Sequence, residues 1–220
     1  MSIQAIAFDL DGTLVDSIHD LARAANAARA DLGLAPLAQD TVESYVGDGA
    51  ASLVARVLAD DMAAEFDGSE LQQKGMTQFN LHYRAGLTIA TKFYPKVQET
   101  LHALHERGLP LAIITNKPER FTLPLLRELG VFEHFDVIVA GDTLPERKPS
   151  ALPLAHTADK LGIELENMLM VGDSKNDILA AKNAGCPNVL VSYGYGDELE
   201  KMGADAIIHR FDELFAFLEE

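Results

Sequence analysis

Two carboxylates two residues apart, Asp9 and Asp11, follow a short apolar run from Ile3 to Phe8 and precede Gly12. The run reads as a buried β-strand. Residues i and i+2 of a strand share a face, so both side chains are expected to aim at one spot beside the strand end. Gly12 lets the backbone turn there or approach a ligand closely. Two like charges this close repel until a shared proton or a divalent cation neutralises them. A carboxylate held by a metal can attack phosphorus, and a second can shuttle the proton. Asp-x-Asp is also a common loop element in which both side chains accept backbone N–H groups. The pair alone leaves both readings open.

Further polar residues recur after later apolar runs. Thr115, Asn116, Lys117 and Pro118 follow Leu109–Ile114. Gly141 and Asp142, then Lys148 and Pro149, follow Val137–Ala140. Gly172, Asp173, Ser174 and Asp177 follow Met168–Val171. Each has a structural alternative. Thr115-Asn116 and Gly172-Asp173-Ser174 could cap helices, Lys148 could be a solvated charge, and Asp177 could favour a helix N-terminus. Open parallel sheets bind ligands at the C-terminal ends of their strands. Acids, a hydroxyl, an amide and a Lys at four such ends therefore make one coherent phosphate site.

The elements that must position them are legible as an alternation. From Phe93-Tyr94-Pro95 onward, helices are expected at Val97–Arg107, Glu119–Leu129, Leu152–Leu161, Asn176–Ala184 and Phe211–Leu218. Strands are expected at Leu109–Thr115, Val137–Ala140, Met168–Gly172, Val189–Ser192 and Asp205–His209. This pattern implies βαβ units, a parallel sheet and helices on both faces, with Ile3–Phe8 in the same sheet. Residues between about 17 and 88 show helical spacing alone: Leu21 to Leu32, capped by Asp16 or Ser17, then Asp40–Val46, Ala50–Leu58 and Leu71–Ala85. The expected architecture is α/β, a Rossmann-like parallel sheet core formed by 1–16 and 89–220. An all-helical cap, 17–88, is inserted after the first strand.

The chain has 220 residues, 48% of them hydrophobic, enough for a substantial core. Lys+Arg total 18 against Asp+Glu 34, a net charge of -16. Such a chain repels nucleic acid and anionic membranes, so neither is expected as a partner. An anionic substrate would need a local cation, which raises the interest of any Lys in a motif. The lone Cys186 excludes an intrachain disulfide and reads as a small buried filler. The seven His fall in no motif and read as surface or packing residues. No stretch reaches the ~18 apolar residues of a membrane span, and no signal-like start is present. The cytoplasm is the expected location.

The string Phe8-Asp9-Leu10-Asp11-Gly12-Thr13-Leu14-Val15-Asp16-Ser17 resembles the first motif of the haloacid dehalogenase-like hydrolases. Thr115-Asn116-Lys117-Pro118, Lys148-Pro149 and Gly172-Asp173-Ser174-Lys175-Asn176-Asp177 match its later motifs in order. Within that superfamily, Tyr45-Val46-Gly47-Asp48-Gly49-Ala50 and Tyr193-Gly194-Tyr195-Gly196 narrow the resemblance to the bacterial phosphoglycolate phosphatases. The resemblance implies that Asp9 is the nucleophile and a Mg²⁺ ligand. It implies that Asp11 is the general acid and base, with its carbonyl on the metal. Thr115 and Asn116 would hold the phosphoryl oxygens with Gly12, and Lys148 would neutralise the charge. Asp173 and Asp177 would complete the metal shell.

Gly47, Asp48 and Gly49 would close over the site and read the leaving group; a plain helix–helix turn is the alternative for that loop. A cationic contact would come from Arg23, Arg29, Arg56, Lys74 or Arg84. The implied substrate is a small phosphorylated metabolite, 2-phosphoglycolate, handled by a monomer or homodimer. A sugar-phosphate phosphatase or a phosphoglucomutase shares the same Asp pair, and a non-catalytic phosphate-binding protein is the rival from another class. Ser150-Ala151 after Lys148-Pro149 departs from the family pattern at a turn. The segment after Tyr193-Gly194-Tyr195-Gly196 is short, which puts substrate access there in question.

Overall fold

The computed structural model describes residues 2–218, so Met1, Glu219 and Glu220 of the expected core lie outside the described residues. The chain divides into two compact units, 1–16 with 93–220, and 17–92. The return to the first unit thus comes after residue 92 rather than 88.

Along the chain, β1 spans Ala5–Phe8 and β2 Val15–Asp16. The helices α1 (Ile18–Asp31), α2 (Gln39–Ser44), α3 (Ala50–Ala59) and α4 (Glu70–Arg84) follow. After β3 (Lys92–Phe93) come α5 (Val97–Glu106), β4 (Leu111–Ile114), α6 (Glu119–Glu128), β5 (Val137–Val139) and α7 (Leu152–Leu161). Then come β6 (Met168–Gly172), α8 (Lys175–Ala184), β7 (Asn188–Val191), α9 (Leu199–Met202) and β8 (Ala206–Ile208).

In the first unit six strands pair in the order β5-β4-β1-β6-β7-β8, every pairing parallel. β1 is central, with Phe8 level with Ile113 on one side and Val171 on the other. All four of its side chains are buried, as a parallel strand covered on both faces requires. Alternation sends Ala5 and Ala7 to one face, where they join Ala112, Ile114, Met168 and Met170 under Leu154 and Ala158 of α7 and Ala180 and Ala181 of α8. Ile6 and Phe8 face the other way, and the Phe8 and Phe211 rings lie 5.5 Å apart. Small residues on the first face let α7 and α8 approach closely. The chain turns from β4 outward to β5 and from β6 outward to β7, so the reversal falls at β1. That is where an α/β sheet opens a ligand crevice.

The last expected helix is a 3₁₀ helix over Phe211–Phe217. Its two buried side chains, Phe211 and Leu214, stand three apart, the period at which 3₁₀ side chains eclipse. Of the two expected caps of α1, Ser17 stands at the N-cap position, without a side-chain cap bond, while Asp16 lies in β2. Cys186 is buried as expected and its thiol bonds the Met168 carbonyl, while burial pushes its pKa up to about 12.

The second unit is helical. Asp20 is its buried polar anchor: one oxygen accepts from Ala90 N–H at 2.9 Å, Thr91 N–H at 2.8 Å and Thr91 Oγ1 at 2.9 Å. Burial opposes that charge, but these donors outweigh it and hold the carboxyl below its ordinary value. Phe79 and Tyr83 stack at 5.5 Å, and a Cβ at Gly75 would meet Leu58 at 2.5 Å, so α4 and α3 approach through that glycine. No described helix is long and apolar enough to cross a membrane.

Candidate active site

β1 ends at Phe8, and the chain turns at once. The Leu10 carbonyl accepts from Leu14 N–H at 3.0 Å and Val15 N–H at 3.1 Å. The ladder still reaches Asp9, whose N–H donates to the Val171 carbonyl at 2.9 Å, but the turn at Leu10 ends the alternation before Asp11, and the two carboxylates take separate cationic partners. Lys148 Nζ lies 2.9 Å from Asp9 Oδ1. Lys117 Nζ donates to Asp11 Oδ1 at 3.0 Å and Oδ2 at 2.9 Å.

Lys148 is no surface charge. Its side chain is 1% exposed, and Nζ also reaches Asp177 Oδ1 and the Ile114 carbonyl, each at 2.6 Å. Burial works against the ammonium, but Asp177 and Asp9 more than compensate and hold its pKa above the ordinary lysine value. The same burial, helped by Asp177 and opposed by Lys148, lifts Asp9 to about 6. Burial first, then the neighbouring Asp177 and Asp9, hold Asp173 well above its ordinary value.

Asp173 follows β6 and is gripped from two sides. Thr13 Oγ1 donates to Oδ1 at 2.8 Å and Tyr195 N–H to Oδ2 at 2.9 Å. Tyr193 Oη in turn donates to the Thr13 carbonyl at 3.1 Å. Three glycines make this packing possible. A Cβ would lie 2.3 Å from Asp173 Oδ2 at Gly12, 2.3 Å from Asp173 Cβ at Gly194 and 2.2 Å from Asp177 Cγ at Gly172. Gly12 also adopts φ +86, which other residues resist.

Asp177 has a double task. Its Oδ2 accepts from Ser174 N–H at 2.9 Å and Ser174 Oγ at 2.7 Å, closing a capping box on α8. Its Oδ1 holds Lys148. The helix-capping alternative for this stretch and a place in the charged cluster are therefore both true. Thr115-Asn116 is not a helix cap, because α6 begins only after Pro118. Thr115 and Asn116 are buried at the end of β4, and Asn116 Nδ2 donates to the Lys148 carbonyl at 3.0 Å. Asp142, at the end of β5, accepts from Glu119 N–H at 2.7 Å and serves α6.

Asp9, Asp173 and Asp177 each offer an oxygen within 4.8 Å of the others. Asp9 Oδ1 is buried and meets Lys148 only as an ion pair outside hydrogen-bonding geometry. A buried, oxygen-only, carboxylate-rich donor set suits a hard divalent cation, whose charge would offset the burial, and the mutual repulsion, that raise Asp9 and Asp173. Asp177 fits least as a direct ligand, since protein donors engage both its oxygens.

Gly47, Asp48 and Gly49 belong to the helical unit. Asp48 Oδ2 accepts from Arg56 Nη2 at 2.6 Å, and Gly49 precedes α3 with φ +85. The loop thus joins two helices and carries a structural ion pair. The residues that spacing alone did not single out are Lys117, Thr13 and Tyr195. Lys117 stood in the expected motif but carried no assigned role. Thr13 grips Asp173 from 160 positions away and Tyr195 from 22, separations at which no local pattern reveals a contact.

Residues 3–185 match the haloacid dehalogenase-like hydrolase family. A protein of Chromobacterium violaceum named phosphoglycolate phosphatase is 51% identical over 217 residues, 99% of this chain and 97% of its own. The crystal structure of a predicted phosphoglycolate phosphatase from Haemophilus somnus superimposes with a TM-score of 0.92 at 33% identity, covering 100% of this chain and 99% of that one. A mutant of CbbY from Rhodobacter sphaeroides in complex with xylulose-(1,5)bisphosphate gives 0.82 at 26% identity, covering 99% and 100%. With a six-stranded parallel sheet and its acids and lysines gathered at the ends of the central strands, this chain belongs to the haloacid dehalogenase-like hydrolases.

Proposed function

We propose that the chain is a Mg²⁺-dependent phosphomonoesterase that converts 2-phosphoglycolate to glycolate and phosphate in the cytoplasm. The observation that carries the chemistry is the buried cluster in which Lys148 bridges Asp9 and Asp177 beside Asp173. The names borne by close relatives over nearly the whole chain support the substrate.

Asp9 attacks phosphorus, the bond to the ester oxygen breaks, and Asp11 gives that oxygen its proton. Water then attacks the phosphorus of the aspartyl-phosphate, Asp11 takes its proton, and phosphate leaves with Asp9 restored. Thr115, Asn116 and the backbone at Gly12 hold phosphoryl oxygens, and Lys148 offsets the charge that nucleophile and phosphate bring together. Mg²⁺, held by Asp9, Asp173 and the Asp11 carbonyl with Asp177 behind them, would supply the positive charge that lets carboxylate and phosphate meet. Reading of the leaving group by Gly47, Asp48 and Gly49 belongs to the same proposal; the N–H groups that open α3 are its support.

Phosphate release from a panel of phosphoesters tests the reading. We expect kcat/KM for 2-phosphoglycolate at least ~100-fold above sugar phosphates and an aryl phosphate, with turnover lost in EDTA. A sugar phosphate on top would move the chain to the sugar-phosphate phosphatases or phosphoglucomutases. No release from any ester would leave a phosphate-binding protein, and activity in EDTA would remove the metal.

A further inference from the structure

We propose that Lys117 recognises the carboxylate of the substrate's leaving group, acting from within the catalytic unit; this rests on the phosphatase reading above. Its side chain is 4% exposed, and Nζ spans both oxygens of Asp11, at 3.0 and 2.9 Å. The backbone is pinned on three sides. Lys117 N–H donates to Thr115 Oγ1 at 3.2 Å, while the carbonyl accepts from Gly141 N–H at 2.9 Å and Thr122 Oγ1 at 3.2 Å. The ammonium is therefore held one hydrogen bond beyond the group that must touch the ester oxygen.

In 2-phosphoglycolate one methylene separates the ester oxygen from the carboxylate, which places a carboxylate oxygen roughly 3 Å from the ester oxygen. That is the length of the Asp11–Lys117 contact. A substrate whose ester oxygen meets Asp11 brings its carboxylate within reach of Lys117 Nζ, and an ammonium donates three hydrogen bonds.

Four of the five cations expected in the helical unit already have partners within it. Arg23 Nη2 donates to the Gly86 carbonyl at 2.6 Å, and Arg29 donates to the carbonyls of Ala35 and Val57. Arg56 binds Asp48 and the carbonyls of Tyr45 and Met62, and Lys74 pairs with Glu70 at 2.7 Å. In a chain of net charge -16, a buried ammonium already placed at the reacting group is the better anion receptor.

The test compares kcat/KM for 2-phosphoglycolate and for ethyl phosphate, which lacks the carboxylate, in the wild type, Lys117→Gln and Lys117→Met. The amide of Lys117→Gln still donates a hydrogen bond to Asp11 but carries no charge, so it keeps the question answerable if Lys117→Met fails to fold. We expect the preference for 2-phosphoglycolate to fall at least ~30-fold, the scale of a charge-assisted contact. The fall should appear chiefly as a raised KM for that substrate. Lys117→Arg should restore part of it. Equal losses on both substrates, seen in kcat, would mean that Lys117 only positions Asp11 and would overturn the proposal. So would a wild type that hydrolyses both esters without preference. A wild type that releases phosphate from neither removes the phosphatase reading, and this proposal with it.

Discussion

Asp9→Asn should stabilise the metal-free protein at neutral pH, although it removes a partner of Lys148. Burial dominates the electrostatics of Asp9, and the opposing pull of Lys148 does not cancel it, so the pKa is lifted from 3.8 to about 6. The folded state then binds more protons than the unfolded chain between those values, and stability falls as pH rises through that window. Above it, the ionised carboxylate costs the fold about 3 kcal/mol relative to the neutral acid. Asn keeps the shape of the neutral acid and cannot ionise. For a chain of this length the gain corresponds to a rise in Tm of roughly 6–12 °C. The assay is thermal unfolding in EDTA, with the advantage expected in full at pH 7.5 and below about 1 kcal/mol at pH 4. Mg²⁺ should then raise the Tm of the wild type more than that of the variant. A variant less stable than wild type at pH 7.5 in EDTA would show that the Lys148 attraction outweighs burial, and the argument for a cation-demanding cluster would fail with it.

Other perturbations separate the remaining roles. Lys148→Met leaves Asp9 and Asp177 buried without their cation and should cost about 3–5 kcal/mol, read by urea denaturation at pH 7.5; a loss under about 1 kcal/mol would contradict the placement of this pair. Asp11→Asn should lower kcat by roughly 10²–10⁴-fold while the fold survives; unchanged turnover would remove Asp11 from proton transfer. Gly12→Ala, forced to a left-handed backbone with its Cβ against Asp173 Oδ2, should weaken Mg²⁺ binding measured by calorimetry; equal affinity would show that Asp173 is not a ligand.

The sheet was readable because its strands are continuous apolar runs with polar residues at their C-terminal ends, and the helices because Leu and Ala recur at helical spacing. Val15–Asp16 and Lys92–Phe93 were not, since two residues carry no period. Asp9, Lys148 and Asp173 could be named from the residues that follow each strand. The partition of the two acids between two lysines could not, because the turn at Leu10 overrides strand alternation and Lys117 reaches Asp11 across 106 positions. The same limit explains Asp177, whose capping box is a local pattern but whose contact with Lys148 is not. The cations expected in the helical unit illustrate the converse. Composition makes them candidates, and only the carbonyls that Arg23, Arg29 and Arg56 bind, with the Glu70 carboxylate on Lys74, show that four of them are already engaged within it.

The measurement that tests the central claim most directly is a rapid acid quench of the enzyme turning over ³²P-labelled 2-phosphoglycolate with Mg²⁺, followed by mapping of the labelled residue. The account predicts a hydroxylamine-sensitive acyl phosphate on Asp9, absent in Asp9→Asn. Turnover with the label on another residue, or an Asp9→Asn variant that still hydrolyses the substrate at the wild-type rate, would contradict it.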